Sequence, residues 1–205
     1  PKSTPQTKSN GHKIAVIGAG PAGIAACSQL LKNNFSVTLF ESTDHIGGAL
    51  NLIPSNRLPA EVINKEWSFI KQNPLLETHF QTKITDINAL LKQGFENVIV
   101  ASGEPNGINL NVDGEELAVS YLDFLEHPQK YKVSGNVAVI GGGAVAVDCA
   151  MTAKDNGASF VEMFIRRRVS DMRVTADERQ TLLDNGIDLT SMTKIKKIRI
   201  GRAHV

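Results

Sequence analysis

Residues 12–42 read HKIAVIGAGPAGIAACSQLLKNNFSVTLFES, and this stretch decides the architecture of the chain. Residues 13–17 form a short apolar run with β-branched members, closed by Gly18; such a run reads as a buried parallel strand. Residues 22–32 carry helix formers with one apolar face, and Asn33 and Asn34 offer a stop, since Asn tolerates the left-handed conformation. Residues 36–40 are a second apolar run. Strand, helix, strand makes one β-α-β unit, whose crossover is expected to be right-handed.

Between the first strand and the helix lies Gly18-Ala19-Gly20-Pro21-Ala22-Gly23, a Gly-x-Gly-x-x-Gly pattern. Gly18 permits a tight turn out of the strand. Gly20 lacks a Cβ, so a pyrophosphate can approach the backbone. Gly23 lets helix and strand pack closely. The helix start adds free backbone N–H groups and the positive end of the helix dipole. Glu41 ends the second strand, where a carboxylate can accept hydrogen bonds from ribose hydroxyls. Glycines placed for packing alone would explain the turn, but not the acid at the end of the next strand. The reading is a dinucleotide site.

The pattern returns in residues 136–168, NVAVIGGGAVAVDCAMTAKDNGASFVEMFIRRR. Here Gly141, Gly142, Gly143, Ala144, Val145 and Ala146 stand in the loop, and alanine at the last position is an accepted variant. Three arginines, Arg166, Arg167 and Arg168, replace the acid. Guanidinium forks suit a 2′-phosphate, so NADP(H) fits this copy better than NAD(H). Glu162 has nearly the usual acid spacing, but Met163, Phe164 and Ile165 continue the strand past it, which places it mid-strand.

Outside these units the chain is ordinary. It has 205 residues, 41% hydrophobic and 21% charged, with 22 basic against 21 acidic residues. That balance argues against a broad nucleic-acid footprint; the basic residues crowding the end, from Lys194 to Arg202, read as a solvated face. No signal peptide or membrane-length apolar run is present, and a cytoplasmic location is expected. The two cysteines, Cys27 and Cys149, fall in different predicted helices without a Cys-x-x-Cys. Neither a metal site nor a redox disulfide is expected from them. The five histidines are scattered among polar residues and read as surface groups.

Residues 1–11 are polar and read as a linker or tail. Residues 44–59 look like a loop, with Gly47, Gly48, Pro54 and Pro59. Helices are expected at 60–72, 120–126, 145–155 and 175–185, and strands at 97–101, 136–140, 160–165 and 195–200. Alternating strands and helices give an α/β chain of two Rossmann-like units with parallel sheets. The expected division is 12–106 for the first dinucleotide domain, then 107–205 for a connecting segment and the second.

Two such sites in tandem, acid first and arginines second, resemble the two-dinucleotide flavin reductases. The phrases GAGPAG, FESTDHIGGAL, IPSNRLPAEVINKE, VIVASGE, GGGAVAVDCA and IRRRVSDMRV narrow this. They are similar to the FAD/NADPH module shared by glutamate synthase small subunits, the N-terminal part of dihydropyrimidine dehydrogenase and candidate selenate reductases. The resemblance implies an oxidoreductase in which hydride passes from NADPH to FAD and electrons then reach an iron–sulfur domain or partner subunit. It implies FAD contacts at Gly18 to Gly23, Glu41, Gly47, Gly48, Arg57, Ser102 and Gly103. It implies NADPH contacts at Gly142 to Val145, Arg166, Arg167 and Arg173. No side chain is expected to act as acid, base or nucleophile, because the cofactors carry the chemistry.

Three departures from the family pattern stand out. Ala144 and Val145 occupy positions where the family usually has hydrogen-bonding side chains. The cluster-binding cysteines that usually precede the module are absent. The later Gly-Asp segment that returns to complete the flavin site is not found after Arg173, so the module is expected to be truncated at its C-terminus. The rival reading is therefore a non-catalytic nucleotide-binding or assembly module, or a fragment of a larger reductase.

Overall fold

The computed structural model describes residues 8–104, 107 and 109–199. The chain divides into two compact units, Pro1–Pro105 and Asn106–Val205. Each is an α/β layer built on a parallel sheet.

In the first unit β1 (Lys13–Ile17), β2 (Ser36–Phe40), β3 (Leu76–His79) and β4 (Asn97–Val100) form a sheet in the order β3-β2-β1-β4, all parallel. The central strands are apolar apart from Lys13, Ser36 and the buried Thr38, because both faces are covered: Ala15, Val16 and Leu39 are completely buried. Helix α1 (Pro21–Lys32) begins with proline at its first position, where a missing N–H costs nothing. It turns Gly23, Cys27 and Leu31 inward, the i, i+4, i+8 stripe of a helix packed on a sheet. Asn34 adopts φ 63°, ending the helix as its sequence suggests. Helix α2 (Ala60–Ile70) adds Ile63 and Trp67 to the same cluster. The short α3 (Ile87–Lys92) is capped by Asp86, whose side chain accepts from the Asn88 N–H at 2.9 Å. It covers the other face through Leu90.

Residues 8–11 are tied to this unit. Asn10 N–H donates to the Asn34 carbonyl at 2.8 Å, and the Ser9 and Ser36 hydroxyls are 2.9 Å apart. The expected loop 44–59 contains a 3-10 turn at Gly48–Leu52.

The first α-helix of the second unit is α4 (Tyr121–Glu126), preceded by a 3-10 turn at Glu115–Leu117. Its sheet has β5 (Gly135–Ile140), β6 (Ala158–Phe164) and β7 (Asp188–Thr190), again parallel, in the order β5-β6-β7. Helix α5 (Ala144–Asp155) buries Val147, Ala150 and Ala153 beneath it. Helix α6 (Ala176–Asp184) starts with a capping box between Thr175 and Glu178. The strand expected at 195–200 is a single parallel bridge between Asp113 and Lys197, reinforced by their ion pair at 3.1 Å; residue 200 lies outside the described residues. Elements β3, α3 and β7 were not expected. Each is six residues or fewer, and β3 is Leu-Glu-Thr-His, too polar for a run or an alternation to stand out.

A glycine decides the packing of α1. A Cβ on Gly23 would lie 1.8 Å from the Gly18 carbonyl oxygen, a backbone atom that cannot swing away. In an open helix position Gly→Ala gains roughly 0.5–1 kcal/mol. Here the clash wins, and Gly23→Ala is expected to cost about 1–3 kcal/mol, read as a lowered melting temperature. An unchanged or raised melting temperature would contradict this helix-to-strand approach.

Candidate functional site

Both glycine loops sit where the C-terminal end of a strand turns into a helix. In the first, Gly18 has φ +101°, and a Cβ there would meet the Ala101 carbonyl oxygen at 2.4 Å. The loop therefore needs glycine for conformation and for the approach of the β4 end, which brings Ser102 beside the turn. Gly103 follows with φ +73° and open space at its Cβ position. The Ala101 N–H donates to the Ile17 carbonyl at 2.8 Å, fixing that approach.

Gly20 differs in kind. It caps α1 with φ −73° and ψ −176°, extended backbone that any residue adopts, and nothing lies within 4 Å of where its Cβ would be. Folding does not require glycine there. What a glycine supplies at that point is room, beside a helix start with unpaired N–H groups. Ala19 is buried, while Pro21 and Ala22 begin the helix at the surface.

The 47–48 turn closes on the same loop. Gly47 N–H donates to the Ala19 carbonyl at 2.8 Å, and a Cβ on Gly48 would stand 3.0 Å from the Gly20 Cα. Both glycines have positive φ. Asn51, which sequence reasoning missed, braces this turn: its Nδ2 donates to the Ile46 carbonyl at 2.8 Å.

Glu41 reaches the loop directly. Its Oε2 accepts the Ala19 N–H at 2.6 Å. Its Oε1 accepts from the Thr43 N–H at 2.8 Å and from the Ser42 and Thr43 hydroxyls, each at 3.0 Å. Partial burial pushes its pKa up, but these hydrogen bonds outweigh that and hold the carboxyl below the ordinary glutamate value. The structure thus gathers Gly18 to Gly20, Glu41, Gly47, Gly48 and Ser102. Arg57 is exposed in a turn closed by its own N–H to the Pro54 carbonyl at 2.8 Å.

The second loop repeats the scheme with variations. Gly141 has φ +145°, and its N–H donates to the Phe164 carbonyl at 3.1 Å. A Cβ on Gly142 would meet the Ile165 side chain at 2.8 Å, whereas Gly143, the cap of α5, has open space at its Cβ position, as Gly20 does. Ala144 and Val145 open the helix, and Val145 is 46% exposed. The strand end is pinned by the Ile165 N–H to the Thr190 carbonyl at 2.8 Å, after which Arg166, Arg167 and Arg168 are all exposed. Arg173 forms a parallel bridge with Gly143, which sets its backbone against the loop. Glu162 lies within β6, paired between Ala138 and Asp188, and accepts from the Thr190 hydroxyl. It is a sheet residue, as its spacing within the apolar run implied.

Each thiol is buried in its own unit, and burial pushes both Cys27 and Cys149 up to about 12, so neither is a reactive thiolate at neutral pH. Among the described residues, no group of three or more His, Cys, Asp or Glu is gathered that could hold a metal. No described helix is long and apolar enough to cross a membrane.

Parallel sheets, each with a glycine turn leading into a helix, followed by an acid in one unit and arginines in the other, define a two-dinucleotide oxidoreductase module. The chain belongs to the pyridine nucleotide-disulphide oxidoreductase family, which it matches over residues 12–204. Its class of cofactors is FAD with a nicotinamide dinucleotide. The chain is 35% identical over 181 residues to the NADP(+)-dependent formate dehydrogenase subunit beta of Moorella thermoacetica, covering 82% of this chain and 25% of that protein. It is 33% identical over 175 residues to the glutamate synthase [NADPH] small chain of Bacillus subtilis, covering 77% and 35%. It is 31% identical over 191 residues to the NAD-dependent dihydropyrimidine dehydrogenase subunit PreT of Escherichia coli K12, covering 90% and 46%. The chain therefore spans less than half the length of each. The fold is that of Lactococcus lactis thioredoxin reductase, with a TM-score of 0.69 at 19% identity, over 93% of this chain and 67% of that one.

Proposed function

We propose that this chain is the FAD- and NADPH-binding module of a larger reductase, with FAD held by residues 12–106 and NADPH by residues 107–205. When bound, the two cofactors would supply the hydride chemistry, with the electrons passed on to an iron–sulfur domain or partner subunit. The chain's own residues bind and orient. Gly18 to Gly23 would take the pyrophosphate of FAD, Glu41 a ribose hydroxyl, and Gly47, Gly48, Arg57, Ser102 and Gly103 the remainder of the flavin nucleotide. Gly141 to Val145 would take the pyrophosphate of NADPH, with Arg166, Arg167 and Arg173 around its 2′-phosphate. The relatives include both NADPH- and NAD-dependent proteins, so the nucleotide preference rests on the arginines of this chain.

The observation that carries this reading is the pair Gly20 and Gly143. Each caps a helix in extended backbone with open space at its Cβ position. Neither conformation nor packing asks for glycine at either place, and room for a phosphate does.

One observation favours a second reading, a module that holds nucleotide without turnover: the first turn of α5 offers Ala144 and Val145, which cannot hydrogen-bond through their side chains. A visible spectrum separates the two. The purified chain, supplied with FAD, is expected to retain the flavin bands and to lose them when NADPH is added without oxygen. Retained bands that NADPH leaves untouched favour the silent module, and a protein that takes up no FAD overturns both.

A further inference from the structure

The donors around the Glu41 carboxylate are unequally divided. Three converge on Oε1: the Thr43 N–H at 2.8 Å and the hydroxyls of Thr43 and Ser42 at 3.0 Å. One, the Ala19 N–H, meets Oε2 at 2.6 Å. A carboxylate oxygen accepts along about two lone-pair directions. Oε1 is thus filled by its own turn, while Oε2 keeps one acceptor direction open beside the glycine loop. The two hydroxyls have little other structural work. Ser42 and Thr43 are both exposed. The Thr43 hydroxyl has one further acceptor, the His45 carbonyl at 3.0 Å, and a single proton serves only one of the two at a time.

We propose that Ser42 and Thr43 are positioning residues for the ADP-ribose of the flavin nucleotide: they clamp Oε1 so that Oε2, aimed by the Ala19 N–H, reads a ribose hydroxyl. This rests on the reading of residues 12–42 as the ADP site. With both side-chain hydroxyls gone, the carboxylate keeps one backbone donor on each oxygen and loses the other two, so it is held less firmly and turns more readily. What is lost is the aim of Glu41 toward the sugar, while the phosphate contacts of the glycine loop are untouched. A hydroxyl-bearing ribose should then lose its advantage over a ribose without hydroxyls, and the bare ribose should bind as before.

The test uses the full chain with FAD bound, and ADP or 2′,3′-dideoxy-ADP as competitors, with displacement followed by flavin fluorescence anisotropy. The ratio of the two half-displacing concentrations cancels any change in FAD affinity. The parent is expected to favour ADP. In the double variant Ser42→Ala, Thr43→Val that preference should shrink about three- to tenfold, through weaker ADP and unchanged dideoxy-ADP. Ser42→Ala with Thr43→Ser, which restores a hydroxyl at 43, should recover much of it. A ratio equal to the parent's in the double variant, or equal weakening of both competitors, overturns the positioning role while leaving the ADP site standing. If the parent holds no flavin, or if Gly20→Val leaves flavin retention unchanged, the ADP-site reading falls and this inference falls with it.

Discussion

Gly20→Val is expected to leave the protein folded and to empty the proposed flavin site. The expected separation comes from two glycines three residues apart. At Gly23 an added Cβ strikes the Gly18 carbonyl oxygen, whereas at Gly20 it meets nothing within 4 Å, and φ −73° suits any L residue. The fold should lose at most about 1 kcal/mol, the usual cost of a poor helix cap. The branched side chain would instead stand in the path of the pyrophosphate and cover the N–H groups that start α1. Flavin retention is expected to fall by about a hundredfold or more, roughly 3 kcal/mol of lost phosphate contacts. Equilibrium dialysis with FAD, beside a melting curve of the same sample, checks both halves. Undiminished FAD binding in a folded variant would remove the first loop from the flavin site.

Replacing Arg166 and Arg167 with alanine is expected to weaken NADPH binding far more than NADH binding. Both side chains are exposed just past the end of β6, and Arg173 is bridged to Gly143 close by. A guanidinium–phosphate contact is worth about 1.5–3 kcal/mol, so the loss for NADPH should be ten- to a hundredfold. NADH lacks the 2′-phosphate and should be nearly indifferent. Because exposed charges are screened, the NADPH advantage of the parent should also shrink in high salt. Titration of both nucleotides against parent and variant measures this; equal loss for the two would remove the 2′-phosphate role.

Much of this module was legible in its sequence because the information is local. The turn at Gly18, the start of α1, the left-handed stop at Asn34 and the acid after β2 are all decided within thirty residues, where periodicity and glycine placement act directly. The second loop and its arginines were legible for the same reason. Glu162 could be set aside as mid-strand because the apolar run continues past it. By contrast β3, α3 and β7 carry too few residues for a period to emerge, and pairing with β2, β6 or a covering face is what makes them elements. The strand expected at 195–200 had the β-branched composition, yet among the described residues only Asp113 pairs with it.

The division within the site follows the same line. The pattern assigned turn, room and packing to Gly18, Gly20 and Gly23 by position, but the letters do not say which atoms each of them meets. Tertiary structure separates them by bringing Ala101 against the first and the Gly18 carbonyl against the third, with nothing against the second. Likewise the sequence offered Glu41 as a ribose acceptor, but only the folded turn shows that Ser42 and Thr43 donate to one of its oxygens and the Ala19 N–H to the other. Local sequence determines where a backbone can turn and where a helix can begin. Which atoms then stand 2 to 4 Å from a given side chain depends on segments such as 97–103, some eighty residues downstream of Gly18, and that proximity exists only once the sheet has closed.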